Sequence, residues 1–371
     1  MDFNFLQRYI GVHSPGYIIE IFKDNITKEY VIGNKTIYPE KKPLNSNTLY
    51  DIASLTKTFT ATLIYMAYEE NKLNLYDKIN SIDSNFKYLN DITIIDLLAF
   101  KKEIWTKGYL GDAKSKEEFY KILYSAYVKS PKRTYIDANY IILSTILEKI
   151  YNNTFNKIVE EKIKNKLNLN SLTFEPQGDI APTSYEIMPN GKIINFNYGD
   201  THDTKARIAR GIGIYTGHAS IFINAGDLLK FLESFLDNSL FKKETIKLML
   251  QHDDINLENY ESLKKMTKSD GDINELYKSI KKDTDIDIPK THNNMGNRYR
   301  NLIDEINDVS DNASENTVVF SGYTGPRYLI DFDRKIIIVI MCNVTNHNTL
   351  LRKERKQITY EIMNNIYNQI V

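Results

Sequence analysis

The sequence contains very little cysteine and tryptophan, and it has no excess of charge of either sign. Among 371 residues there is one cysteine, Cys342, so the chain has no disulfide framework, and its place in the apolar run 336–342 predicts a buried packing residue. Basic and acidic residues number 48 each, which gives zero net charge. The chain therefore has no overall positive charge that would attract it to nucleic acid or to an anionic membrane, and neither partner is expected.

Three further absences narrow the class of protein. No apolar stretch reaches the about 20 residues of a membrane-spanning helix, and residues 1–11 lack the basic segment and apolar core of a secretory signal. The six histidines show no H-x-x-x-H or H-E-x-x-H spacing, so we expect no metal and no cofactor. The sequence therefore predicts a cytoplasmic globular protein, with 42% hydrophobic residues available for its core.

The stretch with the most chemical content is residues 50–68, where Ser54 and Lys57 stand three positions apart at the start of an apolar helix. Residues i and i+3 share one helical face, so Ser54 Oγ and Lys57 Nζ can come within hydrogen-bonding distance. A lysine buried among apolar side chains loses affinity for its proton, and such an amine can activate a serine hydroxyl. The interpretation without chemistry is a lysine that extends its amine to solvent at a helix start.

The rest of the chain divides into strand-like ends and a helical middle. Two β-rich runs within residues 16–33, joined near Asp24 and Asn25, predict an antiparallel hairpin, and residues 317–342 predict further strands. Helical periodicity dominates from residue 61 to about residue 170. We therefore expect strands from both ends of the chain to share one sheet.

This pattern predicts a sheet domain interrupted by a helical one, with a cleft where the two meet, a common place for a ligand site. Residues 252–291 are polar and charged, which indicates a solvated insertion. The expected division is a sheet domain of residues 1–60 and 205–371 and an inserted, mainly helical domain of residues 61–204.

Residues 49–57, Leu-Tyr-Asp-Ile-Ala-Ser-Leu-Thr-Lys, resemble the nucleophile motif of the serine β-lactamase and penicillin-binding-protein superfamily. The resemblance is to its class C-like branch, which also holds esterases and D-amino-acid peptidases, and it spans most of the chain. It implies an α/β (α+β) fold, in which an antiparallel sheet is flanked by helices and an all-helical lobe is inserted, with the active site at the junction. It also implies that Ser54 is the nucleophile and that Lys57 assists it.

Residues 135–143, just ahead of a helix, resemble the second motif of that family, Y-x-N. The match gives Tyr135 the role of sharing a proton with Lys57 and protonating the leaving group. Asp137 stands where asparagine is usual, although a Y-x-D version also occurs among esterase-like members. A carboxylate beside Lys57 favours the ammonium, so the base stays open among Lys57, Tyr135 and Asp137. Asn139 offers an alternative register.

The third motif of the family is a strand that reads Lys-Thr-Gly or His-Thr-Gly, and its matching place begins at Phe320. A phenyl ring can neither move a proton nor bind a carboxylate, as the usual basic residue does. Gly322 permits close approach of the backbone, and the N–H of Tyr323 is expected to pair with that of Ser54 as an oxyanion hole. Ser321 is expected to hydrogen-bond substrate.

Two further segments of the sequence are expected to lie near the cleft. Residues 201–219 resemble a stretch of the family's esterase and peptidase members, V-H-D-x-x-A followed by G-x-A-G-H-A-G-L, which we interpret as mainly structural. His202 and Asp203 are adjacent and therefore poorly suited to orient one another as a catalytic triad requires. Relatives usually carry T-H-T-S-G where residues 99–103 read Ala-Phe-Lys-Lys-Glu, so the rim of the cleft differs, and Arg327 is a candidate for the lost charge.

The leading hypothesis is a serine hydrolase that forms an acyl-enzyme on Ser54 and acts on an ester or on a D-residue-containing peptide amide. The absent export signal and Phe320 favour this over a true β-lactamase. A penicillin-binding protein or class C-like β-lactamase is one alternative, and a catalytically impaired binding or structural member is an alternative of another class. The expected partner is a small-molecule or peptide substrate. The predicted site consists of catalytic Ser54, Lys57 and Tyr135, with Asp137, Phe320, Ser321, Gly322 and Tyr323 around the substrate and oxyanion.

Overall fold

The computed structural model describes residues 1–37, 40–131, 134–182, 185–187, 193–195, 198–251, 310, 312–314, 316–345 and 352–371. Its strands, in chain order, are β1 (Gly16–Lys23), β2 (Ile26–Thr36), β3 (Lys42–Pro43), β4 (Tyr50–Asp51), β5 (Glu103–Trp105), β6 (Tyr127–Ser130), β7 (Tyr185–Ile187), β8 (Ile193–Asn195), β9 (Phe222–Ile223), β10 (Thr317–Ser321), β11 (Arg327–Asp331) and β12 (Ile336–Cys342). The predicted charged insertion at residues 252–291 lies outside the described residues.

The α-helices are α1 (Thr56–Glu69), α2 (Ile79–Ile82), α3 (Ile94–Leu98), α4 (Lys116–Leu123), α5 (Asp137–Tyr151), α6 (Phe155–Val159), α7 (Asn165–Leu167), α8 (Thr204–Gly211), α9 (Ala225–Glu233), α10 (Lys243–Leu250) and α11 (Arg352–Asn368). Short 3-10 helices span Asn4–Tyr9, Ala53–Leu55 and Leu110–Asp112, and a π-helical turn spans Glu160–Lys164. Within the described ranges, no helix combines the length and the apolarity that crossing a membrane requires.

Six antiparallel strands from both ends of the chain form the main sheet, in the order β10-β11-β12-β1-β2-β3. β1 pairs with β12 on one side and with β2 on the other, so that Tyr17 lies opposite both Cys342 and Ile32. The turn between β1 and β2 is formed by Asp24 and Asn25, with φ of 54° and 58°. Asp and Asn tolerate this left-handed conformation, which a two-residue hairpin turn needs. The predicted hairpin is confirmed, and strands from the two chain ends do share one sheet.

Alternate side chains of the sheet enter two separate cores. Ile18 on β1 and Ile337 on β12 belong to the larger core, which also contains most of α1, α5 and α9. Ile19 belongs to the smaller core, formed with the first 3-10 helix and α11. Because both faces are covered, β12 is an uninterrupted apolar run rather than an alternating one. Cys342 is buried at its end, as predicted, and burial raises the pKa of its thiol to about 12.

Helices α1 and α5 form the centre of the helical part, where they pack against one another and α3 packs against α5. Helix α1 is buried from Thr56 to Ala67, so both of its sides face protein. Between α3 and α5, β5 and β6 form a small two-stranded antiparallel sheet, which the helical periodicity did not predict. On this sheet Lys129 Nζ lies 3.5 Å from the centre of the Trp105 ring, an exposed cation–π contact. The domain boundaries expected at residues 60 and 204 stay a prediction.

Helix α11 is attached to the sheet through a buried histidine, His13, which is 1% exposed. Its Nδ1 lies 2.9 Å from the Tyr17 hydroxyl, and its Nε2 lies 2.9 Å from Thr359 Oγ1 and 3.2 Å from the Arg355 carbonyl oxygen. Burial lowers the pKa of His13 from 6.5 to about 4. The folded protein therefore holds His13 as the neutral imidazole at neutral pH.

We expect the protein to lose stability through His13 on acidification. The unfolded chain takes up a proton at this residue near pH 6.5 but the folded protein only near pH 4, so stabilisation present above pH 6.5 is lost as the pH falls between these values. The difference in pKa corresponds to about 3 kcal/mol at most. Urea unfolding at several pH values checks this by comparing the wild type with His13→Gln, which does not titrate. The wild type should lose more unfolding free energy between pH 7 and pH 4, and parallel curves for the two proteins would contradict the assignment.

Candidate active site

The residue before Ser54 has an unusual backbone conformation. Ser54 lies in the 3-10 turn that immediately precedes α1, and Ala53 has a φ of +45°, which L-residues rarely adopt. Such strain persists only where the surrounding structure fixes it. Here β4 pairs with β9, and the N–H of Ile52 donates to the Ile221 carbonyl at 3.1 Å, so the chain enters the turn in a fixed direction.

Asp51 ties this turn to two other segments of the chain. Its Oδ1 accepts a hydrogen bond from the Ala53 N–H (2.8 Å), its Oδ2 accepts one from the His202 N–H (2.7 Å), and its carbonyl accepts one from Thr324 Oγ1 (2.7 Å). Burial raises the pKa of Asp51, against these N–H donors, which lower it. Sequence reasoning did not single out Asp51. The available signal was an acidic residue in an apolar stretch three positions before Ser54.

Lys57 is completely buried, and its ammonium group has three partners. Nζ donates to Ser54 Oγ at 3.1 Å, to Asp137 Oδ1 at 2.9 Å and to the His218 carbonyl oxygen at 3.1 Å. Burial acts to lower the pKa of Lys57, but the charges of Asp137 and Tyr135 outweigh it and the net shift is upward. The expectation that burial lowers this pKa is therefore wrong, because a carboxylate is buried with the amine.

Asp137 is the counter-ion of Lys57. It is the first residue of α5, where the unpaired backbone N–H groups of a helix favour a negative charge. Its second oxygen, Oδ2, lies 3.1 Å from Lys205 Nζ. Burial acts to raise the pKa of Asp137, but the charges of Lys57 and Lys205 outweigh it and hold this pKa below its ordinary value. The ionised carboxylate is therefore the stable form beside Lys57, and it is a weak base.

Lys205 connects Asp137 to a second acidic residue. Its Nζ lies 3.0 Å from Asp203 Oδ2, and Asp203 Oδ1 lies 2.9 Å from His218 Nε2. Asp203 is also the N-cap of α8, where it accepts from the Ala206 N–H. Asp137, Asp203 and His218 each offer a ligand atom within 4.8 Å of the others, a spacing that suits a metal ion. The Lys205 ammonium is hydrogen-bonded to both carboxylates and supplies positive charge at this place.

Tyr135 lies at the mouth of this cluster. The Lys57 Nζ is 4.9 Å from the centre of its ring, and the Phe100 ring is 4.8 Å away on the rim. Although 52% of Tyr135 is exposed, the surrounding protein desolvates its hydroxyl enough to raise the pKa, against the charge of Lys57, which lowers it. The structure thus brings Ser54, Lys57, Tyr135 and Asp137 together at one end of α1.

Phe320 does not lie where the sequence placed it. Its side chain is 1% exposed and packs in the larger core, with its ring centre 6.4 Å from that of Tyr328. The expectation that it lines the substrate side is therefore wrong, since a phenyl ring at this strand position is driven into the apolar layer under the sheet. Ser321 pairs with Arg327 across the strands, and within the described part of the chain its hydroxyl is buried without a hydrogen-bond partner.

Gly322 brings the end of β10 against the turn that contains Ser54. A Cβ at this position would lie 2.5 Å from the Ile52 carbonyl oxygen and 3.5 Å from the Ala53 Cβ, so only glycine allows this approach. The ring of the next residue, Tyr323, packs against that of His202 in a tilted arrangement, with ring centres 4.8 Å apart. The backbone that follows β10 is therefore packed on the segment that presents Ser54.

Two alternatives from the sequence are structural residues. Asn139 is fully buried, and its Nδ2 donates to the Leu97 carbonyl at 3.2 Å, so it does not reach the cluster around Lys57. Arg327 cannot supply the lost charge in the cleft, because its neighbour Tyr328 faces α1, with its hydroxyl 2.9 Å from Thr58 Oγ1. Strand alternation therefore places Arg327, which is fully buried, on the opposite face of the sheet.

The sequence matches a known protein family over most of its length. A model described as Beta-lactamase matches residues 30–360. The chain belongs to the Beta-lactamase family. The resemblance inferred from residues 49–57 is thereby confirmed, and so is the expected fold of mixed helices and an antiparallel sheet.

Among curated members related to this chain, a putative D-alanyl-D-alanine carboxypeptidase of Escherichia coli O157:H7 is 26% identical over 291 residues. The match covers 66% of this chain and 66% of that protein, just under two thirds of the relative's own length. Solved structures with a similar fold include simvastatin synthase (LovD6 mutant) from Aspergillus terreus, with a TM-score of 0.71, 16% identity and coverage of 98% and 95% of the two chains. EstCE1, a hydrolase with promiscuous acyltransferase activity, has a TM-score of 0.65, 14% identity and coverage of 95% and 96%.

We expect Gly322→Ala to destabilise the protein, because the added methyl group meets backbone rather than a movable side chain. Overpacking of this kind costs about 1–3 kcal/mol of unfolding free energy. Gly211→Ala is the matched control, since a Cβ there meets nothing within 4 Å. Denaturant unfolding of the two variants measures the difference, and equal stability would show that β10 and the nucleophile turn are not in fixed contact.

Proposed function

We propose that the chain is a serine hydrolase that forms an acyl-enzyme on Ser54, with an ester or a D-residue-containing peptide amide as substrate. The observation that carries the proposal is the 3.1 Å contact between Ser54 Oγ and Nζ of the fully buried Lys57. Burying an ammonium group costs on the order of several kcal/mol, so its position against a serine hydroxyl favours a chemical role over a packing one. Family membership and the curated relatives also point to a hydrolase of this fold.

In the proposed reaction Ser54 Oγ bonds to the substrate carbonyl carbon while its proton leaves for a nearby base. Lys57 as an ammonium cannot accept that proton, and Asp137 is too weak a base to take it. The reactive form is therefore the one in which Lys57 and Tyr135 together have lost one proton. The pair of Lys57 and Tyr135 accepts the Ser54 proton and passes it to the departing oxygen or nitrogen. Water then hydrolyses the ester between the acyl group and Ser54.

The carbonyl oxygen that gains negative charge needs hydrogen-bond donors. The N–H of Ser54 belongs to the short 3-10 turn before α1, and a helix start leaves its N–H groups without internal partners. The N–H of Tyr323 is the second proposed donor, because Gly322 carries this backbone up to the Ile52 carbonyl. Both donors are backbone groups, so the role does not depend on the identity of the side chain at position 323.

The proposed substrate class rests on the cleft wall having no cation from position 320 or position 327. With Phe320 in the core and Arg327 on the far face of the sheet, neither residue offers a cation to a carboxylate on that side. This supports an ester, or a peptide amide without a carboxylate next to the scissile bond, over a β-lactam, whose carboxylate needs such a partner. A penicillin-binding protein or class C-like β-lactamase remains the alternative, and a catalytically impaired binding member is the alternative of another class.

Covalent labelling tests the nucleophile. A fluorophosphonate probe should label the wild type and should fail to label Ser54→Ala, with a loss of rate on the order of 10³-fold or more. Ser81→Ala, at an exposed serine on α2, is the control and should label at the wild-type rate. Equal labelling of Ser54→Ala and the wild type would reject Ser54 as the nucleophile.

The same proteins distinguish the alternatives. Turnover of p-nitrophenyl esters or of D-Ala-D-Ala peptides after labelling supports the hydrolase, whereas labelling without turnover supports a penicillin-binding protein that hardly deacylates. An intact protein with neither labelling nor turnover would support the binding member.

The pH dependence of labelling tests the assignment of charge. Because the pKa values of both Lys57 and Tyr135 are raised, the labelling rate of the wild type should keep rising as the pH approaches and passes 10.0, the ordinary value for tyrosine. Asp137→Asn removes the charge that holds the Lys57 proton and should shift the profile towards neutral pH by about 1–3 units. Asp91→Asn, at a highly exposed carboxylate, is the control. An unshifted profile in Asp137→Asn would show that Asp137 does not set the protonation of Lys57.

A further inference from the structure

Lys205 lies beside the ion pair of Lys57 and Asp137 and has no role in the proposed reaction described above. It is the second residue of α8, and its side chain is 20% exposed. Its Nζ lies between two carboxylates, 3.1 Å from Asp137 Oδ2 and 3.0 Å from Asp203 Oδ2. Burial acts to lower the pKa of Lys205, but these two carboxylates outweigh it and the net shift is upward. A lysine that only covered the surface would not be placed between two half-buried acids.

We propose that Lys205 is a positioning residue for the acylation of Ser54, acting through Asp137, and that it holds Lys57 against the serine by sharing the Asp137 carboxylate. This inference rests on the proposed function. Asp137 offers one oxygen to each lysine, so the direction of the Asp137–Lys57 hydrogen bond depends on where Lys205 holds the other oxygen.

The contacts form a closed ring. From Lys57 the chain of polar contacts runs to Asp137, to Lys205, to Asp203 and to the ring of His218, and the carbonyl of His218 accepts a hydrogen bond from Lys57 again. Every distance in this ring is between 2.9 and 3.1 Å. A ring in which each group has two partners fixes side-chain geometry more firmly than a single ion pair does.

The two positive and the two negative charges in this closed set of contacts cancel. Two lysines face two carboxylates, with the polar His218 ring bonded to Asp203. Without Lys205, Asp137 and Asp203 are left to repel each other, and Asp137 bonds to Lys57 alone. The proton on Lys57 is then held more tightly, because the whole carboxylate charge acts on it.

The groups that face Asp137 come from two helices and two loops. They are Lys57 on α1, Lys205 on α8, Asp203 at the N-cap of α8, Tyr135 before α5 and His218 before β9. On the solvent side, Lys205 Nζ lies 6.0 Å from the centre of the exposed Tyr109 ring, at the outer limit of a cation–π contact. Lys205 is therefore the link between the buried ion pair and the rim.

A double-mutant cycle tests this role. The rate of fluorophosphonate labelling is measured against pH for the wild type, Lys205→Met, Asp137→Asn and the double variant. We expect Lys205→Met to shift the profile to alkaline pH and to label about tenfold more slowly near neutral pH, a shift of about one pH unit. In the Asp137→Asn background the same substitution should have a much smaller effect, because the carboxylate through which Lys205 acts is gone.

Lys205→Arg and thermal unfolding complete the experiment. Arg retains the charge and should restore the wild-type pH profile, and this variant keeps the test informative if Lys205→Met does not fold. A Lys205→Met protein that is less stable but keeps the wild-type profile would show a merely structural role and overturn the proposal. Equal effects of Lys205→Met with and without Asp137 would overturn it as well. Absence of labelling in the wild type would instead remove the proposed function, and the positioning role with it.

Discussion

The structure depends on the compensation of one buried charge. The Lys57 ammonium has no access to solvent, and an uncompensated charge in that position would cost more than the protein's net stability. Asp137 and the carbonyl of His218 are therefore required wherever Lys57 is buried as an ammonium. The same contacts that make the buried amine tolerable also aim it at the serine, so stability and geometry are set by one group of hydrogen bonds.

This compensation explains why segments distant in sequence converge. Lys57 is the second residue of α1, Asp137 is the first residue of α5, and His218 lies just before β9, so two helix starts and a strand entry meet at one point. Helix starts suit this arrangement because their backbone N–H groups favour the negative charge of Asp137 and, in the proposed reaction, that of the oxyanion. The sheet contributes from the other side, where Gly322 lets β10 touch the turn before Ser54.

The sequence predicted the parts of this site that repeat a pattern and missed those that depend on contacts. Ser54, Lys57 and Tyr135 were found from spacing and resemblance, and the sheet from strand-like runs at both chain ends. Asp51 and the ring through Lys205 were missed because no periodicity marks a residue that binds the backbone of another segment. For Lys57 the sequence indicated two opposed effects on the pKa, burial that lowers it and Asp137 that raises it, and it could not decide between them. The contact between the two side chains decides for Asp137.

Phe320 and Asp137 are better explained together than as separate losses. In the family pattern a basic residue on the third strand shares the cleft with a neutral asparagine, whereas here the strand position is apolar and the asparagine position is acidic. Positive charge is still present, but it comes from Lys205 on α8 and is bound to the carboxylate that Asp137 introduces. Removal of a cation from one wall and addition of an ion pair to the other lowers the net charge of the cleft by one unit, and the added positive charge lies on α8. In the proposed reaction the nucleophile and the oxyanion backbone are kept, while neither Phe320 nor Arg327 offers a cation to the cleft. The loss of these two candidate cations favours neutral acyl groups over carboxylate-bearing ones.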